Sequence, residues 1–293
     1  MEPDHAGNIK KLAEKYPEMK IVGNAKTFPM MKQFFTIDGL DDRSVVVKEG
    51  DTLSLGNHTL QFVMAPMVHW PEVMVTYEQS EKLLFSADGF GKFGALDVDE
   101  DWACEARRYY FNIVGKYGAQ VQAALKKLGG LDIATICPLH GPVWRSDLGY
   151  LLGKYDLWSR YEPEDKAVAI CYASMYGNTE NAANLLANGL AEAGVKNIAV
   201  YDVSSTHVST LISEVFRCSH IVLACPTYNN SIYPAMYNFI HDMEALLVQN
   251  RTVGIIQNGT WNPASGKLIQ AELESMKNIT LLEPVVTVKS SLK

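Results

Sequence analysis

Two different rhythms of apolar and polar positions divide the chain near residue 160. Before that point short apolar runs come at uneven intervals. Ile9, Leu12 and Tyr16 sit at helical spacing within residues 8–17. β-type runs follow at Lys20 to Val22, Ser44 to Lys48, Thr59 to Met64, Val73 to Tyr77 and Lys82 to Phe85, with a turn and short strand over Asp51 to Leu55. A helix is predicted over 104–128, its later part marked by Val121, Leu125 and Leu128 and closed by Gly129-Gly130. Ile133 to Cys137 reads as a further buried strand, and the whole as an α+β layer arrangement.

After residue 165 the rhythm becomes regular. Strands are predicted at Ala167 to Tyr172, Ile198 to Val203, Ile221 to Cys225, Thr252 to Gln257 and Leu281 to Val288, separated by helices over 178–193, 207–216, 232–249 and 264–276. Strands that are apolar throughout and alternate with helices imply a parallel sheet covered on both faces, here a doubly wound α/β fold of five strands. The charged, proline-containing segment Tyr155 to Asp165 marks the boundary, giving predicted domains 1–160 and 165–293.

Composition narrows the classes. With 293 residues there is room for two cores, and 47% hydrophobic with 20% charged residues is ordinary for a globular chain. A net charge of -7 speaks against nucleic acid or an anionic membrane as the main partner. No apolar run approaches the ~18 residues needed to span a bilayer, and the first residues are polar and acidic, unlike a secretory signal. Five scattered cysteines without a CxxC pair read as reduced thiols in a cytoplasm; Cys137, Cys171 and Cys225 end predicted strands, where packing explains them.

The second half carries a ligand-binding pattern. Directly after its first strand comes Ser174-Met175-Tyr176-Gly177-Asn178-Thr179, leading into a helix. Hydroxyls, an amide and free backbone N–H groups at a helix start can cradle a phosphate, although the same residues also suit a plain helix cap. No Walker-type lysine is present, so a nucleoside triphosphate is not expected. Two more loops tip the balance: Pro226-Thr227-Tyr228-Asn229-Asn230 after the third strand and Asn258-Gly259-Thr260-Trp261 after the fourth. All three fall at carboxyl ends of strands, where doubly wound sheets bind ligands, and Tyr228 and Trp261 offer apolar faces to a flat ring. FMN is the expected ligand. This half resembles flavodoxin, most specifically in its phosphate loop.

The first half carries a metal-binding pattern. Glu2, Asp4 and His5 are crowded at the start, and His69, Asp88 and His140 each follow a short apolar run. Asp88 comes directly after such a run, where a buried carboxylate needs a strong partner, and it is suited to bridge two cations. This mixed oxygen and nitrogen set favours paired iron or manganese over a structural zinc. His58, His207, His220 and His241 lack such company and read as ordinary core or surface residues.

Glu-x-Asp-His at 2–5, then His69, Asp88 and His140, resembles the metallo-β-lactamase-type domain of flavodiiron proteins. The stretches Gly23 to Phe28, Ala65 to Glu72 and Pro138 to Pro142 are similar to that family too, and the likeness continues through the flavodoxin half. The resemblance implies a partial αββα sandwich followed by the flavodoxin-like sheet. It implies that Glu2, His69 and Asp88 bind one iron, and Asp4, His5, Asp88 and His140 the other. It also implies FMN and the diiron centre as cofactors, reduction of dioxygen to water or of nitric oxide to nitrous oxide, and a head-to-tail homodimer. The electron donor would be a separate rubredoxin-like protein or a reduced deazaflavin. The family motif begins with a histidine two residues before the glutamate, and a helix closes its flavodoxin domain; neither is in this sequence, which therefore reads as truncated at both ends. Two rivals stand beside the oxidoreductase: a zinc or dimetal hydrolase carrying a flavodoxin-like domain, and an FMN electron carrier whose metal domain does not function.

Overall fold

Apolar side chains at Leu151, Tyr155 and Trp158 recur at helical spacing, and the segment that holds them is a helix rather than a linker. The computed structural model describes residues 1–292; Lys293, the last residue of the predicted second domain, lies outside the described residues. The chain divides into two compact units, Met1–Ser159 and Arg160–Lys293.

The first unit runs α1 (Pro3–Ala6), α2 (Ile9–Lys15), β1 (Ile21–Gly23), α3 (Thr27–Phe34), α4 (Leu40–Arg43), β2 (Ser44–Val46), β3 (Thr52–Ser54), β4 (Thr59–Met64), β5 (Met74–Glu78), β6 (Leu83–Phe85), α5 (Trp102–Ile113), α6 (Gly118–Leu128), β7 (Thr135–Cys137) and α7 (Leu148–Ser159). β1 and β2 form a small parallel pair, and β3 to β7 a five-stranded sheet in sequence order, antiparallel except where β7 joins β6. The single helix predicted over 104–128 is instead α5 and α6, joined by a 3₁₀ turn at Gly115–Tyr117. Glycines at 115 and 118 make a break there inexpensive. α3 was not anticipated, because it is short and holds Pro29, which reads as a breaker; Phe28 and Met31 pack with Ile21 and Leu40 in a small separate core.

α7 closes the main core of this unit. Leu151, Tyr155 and Trp158 are buried. Trp158 packs with Tyr155 (ring centroids 5.5 Å apart), Tyr110 (5.4 Å) and Trp102 (6.2 Å). The charges that marked this stretch as a boundary begin at Asp156, which Gln122 Nε2 holds at 2.9 Å. Burying Trp158 outweighs them.

The second unit runs β8 (Asp165–Tyr172), α8 (Asn178–Glu192), β9 (Ile198–Asp202), α9 (Val208–Arg217), β10 (Cys218–Tyr228), β11 (Ser231–Ile232), α10 (Pro234–Ala245), β12 (Arg251–Asn258), α11 (Ser265–Leu273), β13 (Ile279–Leu281) and β14 (Val286–Val288). The order β13-β12-β10-β8-β9 is doubly wound, with β14 extending along β12 and β11 folding back antiparallel on β10. β8, β10 and β12 are central and correspondingly apolar; Ile170 and Ala224 of the sheet and Ala183 of α8 are fully buried where helix and sheet meet. The predicted strand over 281–288 is two short strands, since Pro284 between them has no N–H for the ladder.

At the opposite end of this sheet Arg251 is only 2% exposed. Its Nε donates to the Val215 carbonyl at 2.9 Å, and its Nη atoms donate to the carbonyls of Tyr161 (2.9 Å), Gln249 (2.8 Å), Asn250 (3.1 Å) and Phe216. Burial pulls its guanidinium down to about 10. Every partner is a neutral carbonyl, so the side chain works as a multidentate donor at the carboxyl end of α9.

Candidate functional site

In the first unit, four separate turns converge. Glu2 precedes α1 and His5 lies in it; His69 sits in the turn between β4 and β5; Asp88 follows β6 and His140 follows β7. The Asp88 turn is braced by Ser86 Oγ donating to the Gly89 carbonyl at 2.8 Å and by Gly91 N–H donating to the Asp88 carbonyl at 3.1 Å. A Cβ added at Gly91 would stand 3.1 Å from both His140 Cβ and the Asp88 carbonyl, tight enough that the two turns would have to shift by a few tenths of an ångström.

The two oxygens of Asp88 face different groups. His69 Nε2 lies 3.1 Å from Oδ2, whereas His5 Nε2 lies 3.0 Å from Oδ1 and His140 Nε2 lies 3.6 Å from it. His5 and His140 present their Nε2 atoms to each other at 3.0 Å, and both stand 3.4 Å from Asp4 Oδ2. Glu2 Oε1 is 4.0 Å from His69 Nε2 and, though buried, has no hydrogen-bond partner among the described residues. Sets of one carboxylate and two histidines, and of two carboxylates and one histidine, lie within ligand range of one another.

Electrostatics match this geometry. Burial pushes the Glu2 carboxyl up, and the Asp88 charge adds to it. Burial also opposes the charge on Asp88, but the hydrogen bond to His69 and the imidazoles of His5, His140 and His69 outweigh it and hold that carboxyl below its usual range. Glu2 and Asp88 are buried carboxylates that oppose each other's charge, a cost that a cation between them relieves, while the Nε2 atoms of His5 and His140 lie within hydrogen-bonding distance of each other.

Tyr109 and Tyr155 were missed by sequence reasoning, since helical spacing marks them only as core. Tyr109 packs its ring 5.4 Å from that of His140, and burial with the nearby Asp88 charge raises its phenol strongly. The Tyr155 phenol oxygen accepts from the Phe90 N–H at 2.7 Å, two residues beyond Asp88.

In the second unit, three loops at the carboxyl ends of β8, β10 and β12 surround a cavity of about 500 Å³. All the flavin-site residues expected from sequence line it except Gly177: Ser174, Met175, Tyr176, Asn178, Thr179, Pro226, Thr227, Tyr228, Asn229, Asn230, Asn258, Gly259, Thr260 and Trp261. Gly177 acts through its backbone, at φ +79° just before α8. Asn262 and Ser290 also line the cavity, Ser290 because β14 brings it alongside Asn258, whose Oδ1 accepts from the Ser290 N–H at 3.1 Å. Thr179 Oγ1 accepts from Asn258 Nδ2 at 3.3 Å, joining the first loop to the third. Thr227 Oγ1 accepts from the N–H groups of Ala264 and Ser265, joining the second to the third.

Comparison with known proteins bears on both units. The family model of ODP family beta lactamase matches residues 1–141, and that of flavodoxin matches residues 170–283. A nitric oxide reductase of Moorella thermoacetica is 30% identical over 98% of this chain and 73% of its own length. A rubredoxin-oxygen oxidoreductase of Megalodesulfovibrio gigas is 31% identical over 94% of this chain and 70% of its own length.

The chain belongs to the flavodiiron protein family. Among solved flavodiiron structures, the rubredoxin oxygen:oxidoreductase from Desulfovibrio gigas superimposes with a TM-score of 0.88 at 29% identity, over 99% of this chain and 74% of that one. The flavodiiron protein from Giardia intestinalis gives 0.83 at 25% identity, over 94% and 71%. An uncharacterised relative from Methanocaldococcus jannaschii is 33% identical, and there the match covers only 63% of the relative's length. Flavodiiron membership implies FMN and a non-haem diiron centre. The residues fit both groups: the unpartnered Glu2 oxygen and crowded nitrogens call for cations, and a buried, unpartnered Ser174 Oγ beside the start of α8 suits a phosphate. Among the described residues no helix is long and apolar enough to cross a membrane.

Proposed function

We propose that this chain is a flavodiiron oxidoreductase that passes electrons through FMN to a non-haem diiron centre, reducing dioxygen to water, nitric oxide to nitrous oxide, or both. Residues 1–160 form the diiron domain and 165–293 the FMN-binding domain. The observation that carries this reading is the division of Asp88 between two groups of ligands, with His69 at one oxygen and His5 and His140 at the other. Glu2, His69 and Asp88 serve one iron; Asp4, His5, Asp88 and His140 serve the second. When bound, the metal pair supplies open positions for the gas and the flavin supplies electrons. Ser174, Thr179 and the N–H groups at the start of α8 hold the FMN phosphate, while Tyr228 and Trp261 flank its ring. Three carboxylates among the ligands favour iron over the zinc of a hydrolase.

Partners follow from the relatives' names. A rubredoxin-oxygen oxidoreductase and a nitric oxide reductase among them support a separate rubredoxin-type donor and these two gases. A reduced deazaflavin is the alternative donor. Free, scattered cysteines support a cytoplasmic protein, and a head-to-tail homodimer brings the FMN of one copy to the metal site of the other. The test is anaerobic reconstitution with ferrous iron and FMN, followed by gas consumption with a reduced rubredoxin-type donor. Bound iron, a yellow flavin and uptake of either gas are expected. Tight zinc with no redox turnover supports a hydrolase instead, and flavin with neither metal nor gas uptake a plain electron carrier.

A further inference from the structure

We infer that the first unit contains a small apolar chamber that admits a dissolved diatomic gas behind the metal ligands. It lies between α6 and the five-stranded sheet, walled by Val63, Val68, Val75, Phe90, Val121 and Tyr155, each at most 9% exposed. Its volume is about 30 Å³. That exceeds what one water-sized sphere needs and leaves room for dioxygen, nitric oxide or a noble-gas atom.

Two features separate this chamber from a water site. Among the described residues its only polar side chains are Ser86 and Tyr155, and both are engaged in the Asp88 turn: Ser86 Oγ with the Gly89 carbonyl at 2.8 Å, Tyr155 with the Phe90 N–H at 2.7 Å. A buried water needs two to four polar partners, whereas an apolar solute gains by leaving water for a carbon-lined space. The second feature is position. Val68 immediately precedes His69, and Gly89 and Phe90 immediately follow Asp88, so the inner end of the chamber is the backbone that carries two candidate ligands. Its outer end is formed by Ala124 and Leu125, the half-buried members of the wall on α6. The chamber thus lies between α6 and the two segments that carry His69 and Asp88, so a gas held there is stored beside the backbone of two candidate ligands.

This inference rests on the proposed gas chemistry for its purpose, but binding can be tested apart from it. Metal-free protein under xenon pressure is expected to take up xenon between α6 and the sheet, seen by crystallography or by ¹²⁹Xe NMR. Ala124→Leu and Val121→Leu, which fill the outer end and the middle, are expected to remove that xenon while iron content and melting temperature stay near those of the parent. In loaded enzyme, Ala124→Leu is expected to raise KM for the gas roughly threefold or more with kcat unchanged, the sign of impaired delivery rather than impaired chemistry. Absence of xenon from the parent protein, or loss of xenon with KM unmoved, overturns the inference. Xenon uptake by a protein that consumes neither gas supports the chamber and counts instead against the oxidoreductase reading.

Discussion

The metal site and the flavin site are built by opposite strategies. The metal site gathers six side chains from residues 2 to 140, puts buried carboxylates beside imidazoles, and leaves Glu2 Oε1 unpartnered. The flavin site draws on three loops of one sheet, has no charged side chain in its wall among the described residues, and binds its loops together with neutral hydrogen bonds such as Asn258 to Thr179. One site concentrates buried charge that a cation would compensate; the other is neutral among the described residues. The first should fail all at once when a central ligand is lost, the second by degrees.

The sharpest test of that contrast is Asp88→Ala. Iron content is expected to fall to background while FMN content, read from flavin absorbance, stays at the parent level; unchanged iron would refute the bridging role. Next is Trp158→Ala, which empties the aromatic core of the first unit. A loss of about 3–5 kcal/mol in that unit's unfolding free energy is expected, with FMN affinity unmoved, as separate unfolding transitions would show. Thr179→Val removes one neutral donor from the flavin site. FMN is expected to bind about tenfold more weakly, equivalent to about 1.4 kcal/mol, with riboflavin affinity unchanged because it has no phosphate. The smallest effect belongs to Glu78, whose carboxyl accepts from the backbone N–H groups of Glu81 (2.6 Å) and Ser80 (3.0 Å) and is drawn down to about 2. Such a group stabilises the folded state above the ordinary carboxylate range and loses that contribution as pH falls toward 2. Glu78→Gln is expected to lower Tm at pH 7 and to flatten the fall of Tm between about pH 4.5 and 2.

Legibility in the sequence follows the same division. The alternation of β8 to β12 with α8 to α11 was readable because each strand is central and apolar throughout, and the flavin loops were readable because a doubly wound sheet puts ligands at known strand ends. Ser290 was not, since it reaches the cavity only through the pairing of β14 with β12. In the first unit the ligand types were visible, but their convergence was not a property of spacing; it is made by turns far apart in sequence that meet tightly at Gly91. α7 was hidden by charges on its outer side, and the break between α5 and α6 by an apolar period that runs on through it.

The guanidinium of Arg251 reaches across to the Tyr161 carbonyl, one residue after the second unit begins at Arg160. Because the same side chain also holds the end of α9, releasing Tyr161 means opening the interior of the second unit. In hydrogen-exchange terms, amides next to Tyr161 should open with the global unfolding of that unit rather than by local fraying. A protease should accordingly find its cut outside this tether.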